Sequence, residues 1–293
     1  MKPQLIPCLL VCFALTSRAQ EVSPEVEAHV IEQKAEQGDG ASMAEMGRIY
    51  LNGRGRPKSP EQAMTWFLKG AAAGNAEAQV GVGYLTDNGI GCRRDRKKAA
   101  EWFLRAAEQN DPKGQHNLGI LLCDGRLGSG RTMEGVDWLV KAARQGYVES
   151  QALLGEKFYF TDGGVGQNPV TAAYWLRQAA DQGHAPSQLL IGVMHRFGQG
   201  GLTKDPAAGV RDFEASARQG QAKAMCHLAD MLDAGEGVAK DRLKAAAWYF
   251  KASALGEPAG VLGWREISKT LKPAERAEVD RMVTLLPSHA RND

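Results

Sequence analysis

The sequence predicts an all-α fold, a solenoid of stacked helix-turn-helix repeats, and three residue series predict it. Trp66, Trp102 and Trp138 follow one another at 36 residues, Trp175 at 37, and Trp248 stands two repeats further on. Gly47, Gly83, Gly119, Gly155 and Gly192 keep a second register, with Ala229 in the sixth place. Gly38, Gly74, Asn110, Gly146, Gly183, Gly220 and Gly256 keep a third. Self-similarity at one period is how an array of identical supersecondary units announces itself. It also accounts for the 34 glycines among 293 residues, well above the usual share of about 7%.

The first segment, 1–19, reads as a secretory signal peptide. Lys2 precedes an apolar run from Leu5 to Leu15, and Ser17-Arg18-Ala19 offers small residues at a cleavage site. That run is too short for a hydrocarbon core, which needs about 20 apolar residues. Residues 20–38 follow as an N-terminal capping helix that starts at Ser23-Pro24. Six repeats fill 39–256, with limits near 39–74, 75–110, 111–146, 147–183, 184–220 and 221–256.

Each unit reads as two helices. The first places small or apolar residues four apart, such as Ala78, Val82 and Thr86, along one face. A turn of Gly-x-Gly type ends it in four repeats, at Gly53, Gly89, Gly198 and Gly235. Asp95, Asn168, Asp205 and Asp241 then stand where a helix N-cap is required, and Ser59-Pro60 does this in the first repeat. The second helix carries the Trp and an alanine pair, as in Trp102, Ala106 and Ala107. Glycine inside a helix costs about 1 kcal/mol relative to alanine. The interior glycines therefore predict a close helix crossing, with the Trp as the bulk seated there. Repeat five, with Asp212 in place of Trp, and repeat three, with Arg131 in place of a capping Asp, are expected to pack less well. Residues 257–288 read as C-terminal capping helices, with Trp264, Ile267 and Leu271 forming an apolar stripe, and 289–293 as a polar tail.

The units resemble Sel1-like repeats, relatives of the tetratricopeptide repeat, in their A-x-x-x-L-G helix, G-x-G turn, Asp cap and W-x-x-K-A-A-x-x-G helix. The resemblance implies a right-handed α-solenoid (Sel1-like/TPR-like) with a concave face lined by first helices. With the signal peptide, this reading gives an exported, non-enzymatic interaction scaffold that binds a protein or peptide there. The alternative is a cell-envelope accessory protein that binds glycan or peptidoglycan.

On the free face of the first helices this reading places Arg48, Tyr84, His116, Ile120, Glu156, Tyr159, Leu189, Val193, Arg196 and Asp230 as partner-binding residues. Tyr84, Ile120, Tyr159, Leu189 and Val193 are expected to form an exposed apolar track.

No enzyme, cofactor or metal is expected. The chain has no C-x-x-C, H-E-x-x-H, G-x-S-x-G or phosphate loop. β-Lactam binding, described for some secreted cysteine-rich Sel1-like proteins, or a β-lactamase-like activity is disfavoured because no Ser has Lys three residues on and their regular cysteine pairs are missing. His195 reads as a packing histidine, and the adjacent Cys226 and His227 point too far apart to share a metal easily.

The 36 basic against 34 acidic side chains argue against nucleic acid. Loss of Lys2 and Arg18 with the signal peptide would leave 34 of each. Cleavage would also leave Cys92, Cys123 and Cys226. Cys92 and Cys123 lie near neighbouring inter-helix loops, where either a bridge or, more plainly, free thiols could stand. The absence of any N-x-S/T sequon favours a bacterial periplasm or secretion over the eukaryotic endoplasmic reticulum.

Overall fold

The computed structural model describes residues 23–128, 130–160 and 165–287. The segment read as a signal peptide and the polar tail lie outside the described residues, so the structure does not bear on them.

Among the described residues fifteen helices run in chain order: α1 Pro24–Glu36, α2 Gly40–Asn52, α3 Pro60–Ala72, α4 Ala76–Asn88, α5 Arg96–Glu108, α6 Pro112–Cys123, α7 Thr132–Arg144 and α8 Val148–Tyr159. Then come α9 Pro169–Asp181, α10 Ala185–Phe197, α11 Pro206–Arg218, α12 Ala222–Ala234, α13 Arg242–Ala254, α14 Pro258–Ser268 and α15 Pro273–Leu285. Even-numbered helices from α2 to α12 are the first helices of the six units, and the odd-numbered helices that follow are the second. No described helix is long and apolar enough to cross a membrane.

Local chemistry sets these boundaries. Asp95, Asn168, Asp205 and Asp241 each accept the backbone N–H three residues on, and Ser59 does the same for α3. Each such cap is worth about 1 kcal/mol. Arg131 makes no side-chain cap for α7 and instead pairs with Glu134. Between units the chain reverses through a residue of positive φ, and among the described residues Asn110 (φ 65°) is the sole case that is not glycine. Its short amide side chain tolerates the left-handed region that ends a helix.

The predicted close crossing is present in repeats one to five, which carry the interior glycine, but the bulk seated on that glycine is not the Trp. A Cβ on Gly47 would lie 2.6 Å from Phe67, on Gly83 2.6 Å from Phe103, and on Gly119 2.7 Å from Leu139. On Gly155 it would lie 2.6 Å from Leu176, and on Gly192 2.9 Å from Phe213. Each of these partners is the residue after the Trp position. Successive helix residues point about 100° apart, so only one of the two can face the crossing. The second residue takes that place and is nearly fully buried, from Phe67 at 3% to Phe213 at 0%. The Trp lies beside it on the flank. Trp66, Trp102 and Trp138 there stack under Lys69, Arg105 and Lys141 one turn on, at 4.2, 4.4 and 3.6 Å from the ring centre.

Repeat five therefore keeps its crossing without a Trp, contrary to the expectation of weaker packing. Asp212 fills the vacated position with polar contacts. His195 Nδ1 lies 2.6 Å from Asp212 Oδ2, and Arg177 Nη2 lies 2.7 Å from His195 Nε2. An Arg can only donate, so His195 accepts at Nε2 and donates from Nδ1 to Asp212.

A fourth series, absent from the reading of the sequence, ties the units together. Gln79, Gln115, Gln151 and Gln188 stand four residues before the interior glycine of repeats two to five. Each accepts from Gln109, Gln145, Gln182 or Gln219 at the end of the following helix, every one at 2.8 Å. Gln115, Gln151 and Gln188 in turn donate to the carbonyls of Ala107, Ala143 and Ala180 in the preceding repeat, at 3.4, 3.0 and 3.2 Å. Buried polar groups must find partners, and here the carbonyl partners lie across the repeat junction. The two end repeats carry Met43 with Ala73 and Met225 with Leu255 at these places.

Candidate interaction surfaces

Two kinds of surface follow from the stacking. Successive first helices approach one another directly at α2–α4, α4–α6, α8–α10 and α12–α14, whereas successive second helices stand apart until α13–α15. The first helices are thus the more closely spaced layer, and shallow grooves open between the second helices on the other side.

On the first-helix layer, Tyr84 is 48% exposed. Arg48 is partly exposed and ion-paired with Glu45 and Glu77. Asp230 is exposed and accepts from the hydroxyl of Tyr249, whose pKa is raised chiefly by burial and then by this carboxylate. His116 lies half-buried with Nδ1 2.8 Å from Ser150 Oγ and its ring edge-on to Tyr147, and burial lowers its pKa. Glu156 is half-buried, and burial raises its carboxyl pKa against the pull of His184. Tyr159 donates its hydroxyl to Gln199 at 3.1 Å, and Arg196 grips Glu236 through Nε and Nη2 at 3.0 and 2.7 Å.

The expected apolar track is not continuous. Ile120 packs with Cys123, Val136 and Leu139, while Leu189 and Val193 pack against the cluster that includes Phe213, Met225 and Leu228.

The thiols of Cys92, Cys123 and Cys226 are free and separate. Cys226 is buried, which pushes its pKa up to about 12. Its neighbour His227 stacks on Phe213 with ring centres 4.9 Å apart.

The grooves between second helices are larger than anything the reading of the sequence anticipated. One of about 890 Å³ lies between α3 and α5, with Met64, Leu68 and Val82 on its apolar side and residues 92–98 opposite. A second, of about 290 Å³, lies between α5 and α7 and is lined by Leu104, Leu118 and Leu127. A third, of about 400 Å³, lies between α7 and α9 beside Tyr174 and Trp175. The run Arg93, Arg94, Asp95, Arg96, Lys97, Lys98 was legible in the sequence, but the balanced total charge concealed it.

Known proteins agree with this architecture. A Sel1 repeat protein from Oxalobacter formigenes has a crystal structure similar to this chain, with TM-score 0.62 and 25% identity over 78% of this chain and 94% of that one. A protective antigen of uropathogenic Escherichia coli that displays an SLR fold is similar at TM-score 0.55 and 22% identity over 90% of this chain. The chain spans 64% of that antigen's length, and at this identity the likeness concerns the fold. No curated protein gives a significant match. The Sel1 repeat profile matches six consecutive segments, residues 40–75, 76–111, 112–147, 148–184, 185–221 and 222–257. With six units in one register covering most of its length, the chain belongs to the Sel1 repeat family.

Proposed function

We propose that this chain is an exported, non-enzymatic scaffold that binds a protein or peptide on the layer of first helices. Sel1 repeat proteins are generally protein-interaction scaffolds, and their fold is typically non-enzymatic. The observation that carries the reading is Tyr84, an aromatic side chain left 48% exposed on that layer. Exposed aromatic and arginine side chains are the groups from which binding hot spots are most often built. Arg48, His116, Glu156, Tyr159, Arg196 and Asp230 supply a polar surround in this reading, and Ile120, Leu189 and Val193 stiffen the layer beneath. Export rests on the Lys2, Leu5 to Leu15 and Ala19 pattern, and periplasm or secretion on the lack of a glycosylation sequon.

The test is affinity capture from the native envelope with the mature chain and with Tyr84→Ala and Tyr159→Ala. Capture of a specific protein, lost in the variants while circular dichroism stays unchanged, is the expected result. Retention of every captured protein by both variants overturns the placement, and selective retention of peptidoglycan fragments by calorimetry favours the glycan alternative.

A further inference from the structure

The groove between α3 and α5 carries a chemistry that stability of the fold does not call for. Five cations, Arg93, Arg94, Arg96, Lys97 and Lys98, stand within six residues on one wall. Three of them, Arg96, Lys97 and Lys98, occupy the first turn of α5, which holds no acidic residue. Cations at a helix N-terminus oppose the helix dipole, each by about 0.3 to 1 kcal/mol. Asp95 serves as the cap, accepting from the Lys98 N–H at 3.0 Å.

Neighbouring groups neutralise only part of this charge. Arg94 donates to the Asp87 carbonyl at 2.6 Å, and Arg96 lies 3.6 Å from the Asp87 carboxylate, which Arg126 shares at 3.7 Å. Arg93, Lys97 and Lys98 have no ion-pair partner among the described residues. Opposite them Met64 and Leu68, one turn apart on α3, face the same space, and Leu68 is 42% exposed. Val82 closes the floor.

We propose that this outer groove is a second binding site, separate from the first-helix layer, for a short acidic segment of a partner protein whose apolar residue seats on Met64 and Leu68. Carboxylates in the groove would satisfy the unpaired cations and the helix end together. The apolar wall selects a peptide over a bare polyanion, which has nothing to bury there. The local extent of the charge selects a short segment, because Glu61 stands one turn before Met64 on α3 and would repel a long anionic polymer.

Fluorescence anisotropy of the mature chain tests this with a labelled Asp- and Glu-rich peptide that carries a central leucine and phenylalanine. Polyglutamate of equal charge, phosphatidylglycerol vesicles and single-stranded DNA serve as competitors. Saturable binding of the peptide, weakened about tenfold or more by the combined Arg93→Glu, Lys97→Glu and Lys98→Glu substitutions, is the expected result. That variant should fold at least as well as the parent, since it places acids at a helix N-terminus. Leu68→Ser should weaken the peptide and leave polyglutamate unchanged. Tyr84→Ala should leave both unchanged, which separates this site from the one on the first helices. Absence of saturable binding, equal affinity in the charge-reversed variant, an unchanged peptide affinity in Leu68→Ser, or tighter binding to vesicles or DNA each overturns the proposal.

Discussion

Repeats four and five build the same helix crossing from different materials. In repeat four Leu176 seats on Gly155 while Trp175 and Phe158 pack beside it in an apolar cluster that spans the two helices. In repeat five Phe213 seats on Gly192 while the flanking pair is Asp212 and His195, tied by a hydrogen bond and held from the other side by Arg177. The difference separates two roles that one Trp series had merged. Glycine and the residue after the Trp position determine how closely the helices cross. The Trp position itself fills a flank, where an indole or a hydrogen-bonded polar pair both serve.

The largest expected effect is on the seat. Phe213→Ala should destabilise the chain by about 3–5 kcal/mol in urea unfolding, because a fully buried ring leaves a cavity against a glycine that cannot fill it. Asp212→Ala should cost less, about 1–3 kcal/mol, through the unmet Nδ1–H of His195. Equal losses in the two variants would mean that the flank governs the crossing after all. Asp212 also shows why the polar pair is not simply stabilising. Burial raises its pKa despite the opposing pull of His195 and Arg177, so removal of its charge alone, as in Asp212→Asn, should cost least of the three.

A smaller effect distinguishes repeat three from its neighbours. Arg131→Ser should stabilise the chain by about 0.5–1 kcal/mol by capping α7 as Ser59 caps α3, offset in part by loss of the exposed Glu134 pair. Thermal unfolding would show an unchanged or lower midpoint if the bare helix end is satisfied in some other way.

The smallest effect is on pH dependence. Burial lowers the pKa of His116 below its ordinary 6.5, so the unfolded chain takes up a proton before the folded one does. Its contribution is complete above that value and is lost as pH falls toward the depressed folded pKa. His227 acts in the same direction, while Glu156 and Asp212, raised by burial, act oppositely in the carboxylate range. Between about pH 7.5 and 5.5 the parent should therefore lose more stability than His116→Gln. Identical slopes in urea unfolding would remove His116 from the account.

The helices, their caps and their turns were legible because each is a local matter. A capping Asp needs only the amides that follow it, and a residue of positive φ needs only its own backbone, so Asn110 could be recognised from its place in a glycine series. The glutamine ladder was equally periodic, at Gln79, Gln115, Gln151 and Gln188, yet glutamine in a helix has an ordinary solvent-facing reading. Only the partner 30 or 31 residues away reveals that it is bonded and, at Gln79, Gln115 and Gln151, buried. Ile120, Leu189 and Val193 were assigned to a free face for a related reason. A helical wheel separates two sides of one helix, whereas here three directions count: the partner helix, the neighbouring unit and solvent.

The sequence by itself determined the repeat, its register, its turns and the family, since a period shared by three residue series survives any detail of packing. Tertiary structure alone decided which of two adjacent side chains seats on the glycine. It also decided that repeat five replaces an indole with a hydrogen-bonded pair, and that five cations share one groove with an apolar wall. These outcomes depend on the angle at which helices distant in the chain meet, and a linear period carries no information about that angle.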